Sequence, residues 1–317
     1  MADTSTGTLT QEIQDLIAAE MLIQVDDAYL FYGNGPVETV GPEGVTDNDG
    51  ATAVNFNRPT LPTGTYTEAS RRLTDGTAIS LTGIAIAETQ VTLIVREYAG
   101  PHDGASIKPF SVTEFLKKRA KHNVIELVGQ FMRRDRNRFL DVTVRDLLLA
   151  ATSVVTPDGT AEGVIAAGVK ASMQFLRNLN KTMKDSKIPT YPNGKWRLMI
   201  STQDEQDLMA DADYKEAYRY FAASNPLFSG HVNTVMGFDI MVTTNISTKL
   251  VGGGGAVTGN QGAAWGPYGI GHGTGMQPSI RKADDTDFGR SEKVLWVSHE
   301  IVGTLYADLF VRTITTS

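Results

Sequence analysis

Two stretches near the start of the chain alternate as strands do: Ala51-Thr52-Ala53-Val54-Asn55-Phe56-Asn57-Arg58 and Gln90-Val91-Thr92-Leu93-Ile94-Val95-Arg96-Glu97-Tyr98. Pro59 ends the first and Gly100 the second, and the long span between them is Gly, Thr, Pro and Arg, including Leu61-Pro62-Thr63-Gly64 and Arg71-Arg72. Such a polar hairpin cannot stand alone, because two isolated strands are marginal in water. Nothing nearby in the sequence looks able to cover it. The pattern therefore predicts a subunit that reaches onto its neighbours.

Helical periodicity comes next. Thr8-Leu9-Thr10-Gln11 has the form of a capping box, with Ile13, Leu16, Ile17 and Met21 on one face. Gly33 to Gly50 is rich in Gly, Pro, Asp and Asn and predicts an extended loop, so the first fifty residues read as an arm. Ser111-Val112-Thr113-Glu114 has the same capping form and predicts a long helix from Val112 to Leu140. Phe115, Leu116, Val124, Ile125, Leu127, Val128, Phe131, Met132, Phe139 and Leu140 form its apolar stripe. Continuous, it would span roughly 43 Å at 1.5 Å per residue, enough for the spine of a flat subunit.

Beyond the turn at Thr156-Pro157-Asp158-Gly159, elements of both kinds alternate. Ile165, Val169, Met173, Leu176, Leu179 and Met183 predict a helix ending at Ile188-Pro189. Lys195 to Ser201 is a strand, Thr202-Gln203-Asp204-Glu205 caps another helix, and Asp213 to Ala223 is a further one. Val232 to Val235 and Phe238 to Val242 form a hairpin about Gly237. Gly252 to Gly255 is a loop or tip, Trp265 to Gly275 a Gly-rich strand and turn, and Lys293–Ser298 and Thr304–Val311 closing strands. The fold class is α+β.

Charge sharpens this picture. The net charge of −7 conceals an asymmetry. Residues 1–57 hold no Lys or Arg but ten acids, Asp26 and Asp27 among them. Lys108 to Arg145 holds ten cations against four acids, with Arg133, Arg134, Arg136 and Arg138 clustered. Opposed potentials of this kind steer segments together and set register. The plainer reading makes each a solvated face. At 317 residues the chain is long enough for about two domains. The absence of cysteine excludes disulfides and thiolate metal sites. No secretory signal and no membrane-spanning run is expected.

Candidate chemistry is sparse. The five histidines, at 102, 122, 231, 272 and 299, show no metal-ligand spacing and read as surface or satisfied core residues. Gly269-Ile270-Gly271-His272-Gly273-Thr274-Gly275 superficially resembles a nucleotide fingerprint, but Met276-Gln277-Pro278 stands where a helix should begin. Asp47-Asn48-Asp49-Gly50 lacks calcium-loop ligands at Val45 and Phe56, and Asp284-Asp285-Thr286-Asp287 reads as an acidic surface loop. Arg133 to Arg138 could meet phosphates, but it has no interleaved aromatics for stacking bases. No enzyme, cofactor or metal is expected.

The order of elements resembles the major capsid proteins of tailed bacteriophages, the Hong Kong 97-type fold, and in particular the podophage type. The most specific match runs from Trp196 to Ile246: Gln206-Asp207-Leu208, the aromatic stretch Tyr214 to Phe221, Phe228-Ser229-Gly230, and Gly237-Phe238-Asp239-Ile240-Met241-Val242. The resemblance implies an N-terminal arm (1–50), an extended hairpin loop (51–108), a peripheral domain with the spine helix (109–155 and 290–317) and an axial domain (156–289). It implies hexamers and pentamers tiling an icosahedral head shell around packaged DNA, located in the virion and assembled in the host bacterial cytoplasm. Scaffolding, portal and decoration or cement proteins are the implied partners; no membrane and no sequence-specific DNA contact are. Arg71 and Arg72, near the hairpin tip, would touch an adjacent subunit. The charge split suggests that the acidic arm, with Asp26 and Asp27, lies on a neighbour's Arg133, Arg134, Arg136 and Arg138. The alternatives are a bacterial nanocompartment (encapsulin-like) shell, an α/β enzyme with an unrecognised site, or a tail or fibre protein.

Overall fold

The computed structural model describes residues 30–40, 53–60, 87–103, 106–113, 124–220, 234–252, 257–283 and 290–316. Along the chain these form α1 (Leu30–Asn34), β1 (Val37–Val40), β2 (Ala53–Thr60), β3 (Ala87–Ile94), β4 (Arg96–Gly100), β5 (His102–Asp103), β6 (Ser106–Ile107) and β7 (Phe110–Thr113). Then come α2 (Val124–Leu149), β8 (Val154–Val155), a 3-10 turn (Glu162–Val164), α3 (Met173–Asp185), β9 (Trp196–Ser201), α4 (Thr202–Ala210) and α5 (Ala212–Tyr220). The remainder is β10 (Thr234–Val235), β11 (Phe238–Thr243), β12 (Ser247–Val251), β13 (Val257–Trp265), β14 (Ile270–Lys282), β15 (Ser291–Thr304) and β16 (Phe310–Thr315).

Two sheets organise the molecule. One runs β1-β14-β15-β4, with β7 also on β15; the other runs β10-β11-β9-β13-β16-β8, with β12 on β13. Helix α2 joins them, because its buried positions recur every four residues. Val128 and Met132 pack with Val112, Ile280, Val294 and Trp296 of the first sheet. Leu140, Val144 and Leu148 pack with Met199, Ala263, Trp265 and Phe310 around the second. A helix with one such stripe gains its stability from the surfaces it covers. At 26 residues it is about 39 Å long.

The spine is therefore real, but it starts later than its capping pattern predicts. Ser111, Val112 and Thr113 lie in β7, antiparallel to Lys293, Glu292 and Ser291 of β15. Strand pairing satisfies this backbone and puts Val112 in the core, which outweighs the local Ser-x-x-Glu signal. Residues 114–123 lie outside the described residues, as do 1–29 with their predicted helix.

Part of the predicted loop after Tyr32 is core. Phe31 is fully buried against Trp265, their ring centroids 6.3 Å apart. Strand β1 pairs in parallel with the Ile270–Gly273 stretch of β14. Residues 30–40 thus belong to the body of the protein, not to a free arm.

The hairpin is covered as well. Strands β2 and β3 pair from Ala53↔Ile94 to Thr60↔Ala87. Val54 and Phe56 are buried with Leu305, flanked by Val91, Leu93, Val95 and Tyr306. The cover is a glycine floor. A Cβ at Gly271 would come 2.7 Å from Phe56, one at Gly273 2.6 Å from Val54, and one at Gly303 2.6 Å from Leu93. Gly271 and Gly303 face each other across β14 and β15, so the floor spans both strands. Glycine is required here because the hairpin side chains occupy the space a Cβ would fill.

The second sheet is built as predicted with shifts at its ends. Helix α3 begins at Met173, N-capped by Ser172, and buries Phe175, Leu176, Leu179 and Met183. These pack with Trp196, Leu198, Ile200, Phe238 and Ile240 of parallel β9 and β11. The cap of α4 is Ser201, one residue before the predicted Thr202, in a reciprocal box with Asp204. The hairpin of β10 and β11 turns at Met236 and Gly237, both at positive φ. At the C-terminus a 3-10 turn (Ala307–Leu309) follows β15, so the last strand starts at Phe310 rather than Thr304. That strand lies in the second sheet and β14 in the first, a division that cuts across the ranges 156–289 and 290–317.

Candidate functional site

Alternation along β14 sends its glycines to the hairpin and His272 the other way, toward α2. There His272 Nε2 lies 3.0 Å from Glu300 Oε2, and its Nδ1 lies 2.7 Å from the Tyr32 hydroxyl. Arg136 donates to the same Oε2 at 2.9 Å, and Ser298 Oγ donates to Oε1 at 2.6 Å. Glu300 is 0 % exposed. Burial alone would raise its carboxyl. The hydrogen bond from His272, the charge of Arg136 and the hydrogen bond from Ser298 outweigh burial and hold it at about 2, from an ordinary 4.5. A carboxylate at Nε2 requires the proton there, which leaves Nδ1 to accept from Tyr32. One chain of contacts thus links α1, both long strands and the spine helix.

A second set fastens α1. Asp141 Oδ1 accepts from the amides of Phe31 (2.7 Å) and Tyr32 (3.2 Å), while its Oδ2 accepts from Asn245 Nδ2 at 2.9 Å. Arg145 donates to Asn245 Oδ1 at 2.6 Å. The far end of α1 is held at the Asn34 carbonyl, which accepts from Trp265 Nε1 at 3.1 Å and from Arg197. Further along the spine, Trp296 Nε1 donates to Asp135 Oδ2 at 2.9 Å.

The clustered arginines divide by helical phase. Arg133 is buried at 7 % exposure, and Arg136 is committed to Glu300. Neither belongs to a solvated basic face, so the expected use of Arg136 at a neighbour is corrected by its intramolecular ion pair. Arg134 and Arg138 are exposed. Both line a cleft of about 600 Å³ with Leu30, Asp141 and Asn245, and Arg138 also borders a groove of about 720 Å³ with Tyr98, Phe139 and Trp296. Arg71, Arg72, Asp26 and Asp27 lie outside the described residues, as do Asp47–Gly50 and Asp284–Asp287. Among the described residues, no group of three His, Asp or Glu is placed to hold a metal, and no helix is long and apolar enough to cross a membrane.

Sequence reasoning did not single out His272 or Glu300. The available signal was charge within strand periodicity: His272 between glycines, and Glu300 in the otherwise apolar run around Val297, Ile301 and Val302. Such a charge is buried only when paired.

A family model described as phage capsid protein matches residues 108–311. Comparison with curated proteins gives no match. Among solved structures, the chain is similar to the capsid of cyanophage Pam1, at 12% identity and TM-score 0.69, covering 93% of this chain and 94% of that one. It is similar to the capsid of Ralstonia phage GP4 at 13% identity and TM-score 0.65, covering 90% and 88%. The head of Helicobacter pylori bacteriophage KHP40 follows at 8% identity and TM-score 0.62, covering 94% of each chain. The shared architecture is the α+β, Hong Kong 97-type capsid fold.

Proposed function

This chain belongs to the phage capsid protein family, and from that premise we propose that it tiles a phage head as hexamers and pentamers of itself. The family match over residues 108–311 carries the reading. The fold supports it physically: α2 ties both sheets to α1 and the hairpin base, giving a stiff plate from which residues 61–86 can extend. The same match favours a phage head over a nanocompartment and a structural role over an enzymatic one.

Finer assignments belong to this proposal. The sheet containing β9, β11, β13 and β16 is the axial domain, and the sheet of β14 and β15 with the first half of α2 is the peripheral domain. Arg71 and Arg72 contact an adjacent subunit, and the acidic segment with Asp26 and Asp27 meets a neighbour's exposed Arg134 and Arg138. Assembly takes place in the host cytoplasm with scaffolding, portal and decoration proteins, and encloses DNA without reading its sequence. The test is expression of the full chain followed by size-exclusion chromatography and negative-stain microscopy. Capsomers or megadalton shells are the expected result. A stable monomer that binds a small molecule saturably would overturn the proposal.

A further inference from the structure

Two apolar surfaces lie at opposite ends of the second sheet. At one end Val164 of the 3-10 turn and Leu250 of β12 are 68 % and 66 % exposed, unusual for aliphatic residues on ordered backbone. Their segments are held side by side, since Gly252 N donates to the Glu162 carbonyl at 3.1 Å and Lys249 pairs with the Glu162 carboxylate. At the other end, the Met236-Gly237 turn and the Trp196 ring border an open pocket of about 590 Å³, with Met236 itself 38 % exposed.

Strand registers place these surfaces far apart. Leu250 faces Thr258 across β12 and β13, whereas Arg197, next to Trp196, faces Trp265. The seven residues from Thr258 to Trp265 cover about 23 Å at 3.3 Å per residue. One copy cannot bring its two ends together. Two copies can, head to tail, and a heterologous contact of that kind closes into rings.

Charge follows the same polarity. Exposed Lys184 and Lys187 flank the Met236 pocket on α3 and just beyond it, and Arg177 lines its rim. The Val164 end presents Asp158, exposed on the turn that precedes it. A twofold contact would set like against like at each end; a head-to-tail contact sets unlike ends together, which fixes orientation.

We propose that Val164 and Leu250 of one copy seat in the Met236–Gly237–Trp196 pocket of the next, with Asp158 facing the Lys184 rim. This rests on the shell-subunit reading and names the surface by which copies join within a ring.

The absence of native cysteine makes the test clean. Leu250→Cys, Met236→Cys and the double variant are assembled, purified as particles and mildly oxidised. Disulfide formation requires Cα atoms within roughly 7 Å. The expected result is a ladder of covalent oligomers from the double variant on a non-reducing gel, and none from either single variant. Assembled particles whose double variant yields no ladder would overturn the surface while leaving the shell reading intact. Dimers from one single variant would overturn it in favour of a twofold contact. Failure of the unmodified chain to self-associate at all would instead sink the shell reading. As a second measurement, Val164→Asp with Leu250→Asp should lower particle yield at least tenfold while the thermal transition of the free subunit stays unchanged. Particle yield equal to that of the unmodified chain would also overturn the surface.

Discussion

Gly273 lies directly beneath Val54: a Cβ on the glycine would stand 2.6 Å from Val54 Cγ2, inside any real contact distance. The hairpin base therefore sits flat on β14, and its position is set by side chains that are absent as much as by those present. Gly273→Ala should lift the hairpin base or displace Val54, costing about 1–3 kcal/mol as overpacking does. Denaturant midpoints would measure this. Val54→Ala in the same chain should recover part of the loss, and a strictly additive double variant would sink the idea of direct contact.

Glu300 governs an acid-sensitive contribution. Its folded value of about 2 lies below its ordinary 4.5, so the carboxylate stabilises the fold fully above pH 4.5. That contribution is lost as pH falls from there toward 2. Glu300→Gln should lower stability at pH 7 by about 3–5 kcal/mol, because Arg136 loses its buried partner. It should also flatten the acid limb of the stability curve. Equal acid slopes in both proteins would contradict the assignment.

Asp141 fastens α1 through the amides of Phe31 and Tyr32. Asp141→Ala should leave these donors without their acceptor, at about 1–3 kcal/mol. Native-state hydrogen exchange should show faster exchange at Phe31 and Tyr32 than at Met199 or Ile200 in β9. Uniform acceleration throughout the chain would indicate global destabilisation instead.

The spine arginines should separate by role. Arg134→Glu with Arg138→Glu changes exposed positions, so the subunit's melting temperature should hold while particle yield at physiological salt falls. Arg136→Glu should lower the melting temperature itself, since it places a second carboxylate against Glu300. Matching melting temperatures for the two variants would show that burial does not divide these residues.

Local pattern located most strands and helices of the second sheet, because Leu176, Leu179 and Met183 or Leu198 and Ile200 repeat at the period of the element they form. It failed where distant pairing overrode local preference. Ser111-Val112-Thr113-Glu114 satisfies a helix cap on its own, yet β15 recruits its first three residues as β7. Gly33 onward looks like loop, yet Pro36 donates its carbonyl position to the Ile270 amide and Val37 continues the pairing. The alternating glycines of β14 were visible, but their purpose depends on Val54 and Phe56, more than two hundred residues earlier.

By itself the sequence determined element type, the α+β class, the asymmetry of charge and the order that resembles a capsid subunit. Those properties follow from near-neighbour spacing and composition. The tertiary structure alone decided that the hairpin rests on its own chain, that Arg136 turns inward while Arg134 and Arg138 remain outside, and that His272 meets Glu300. Each depends on contacts between residues far apart in the chain, whose energies no local pattern encodes.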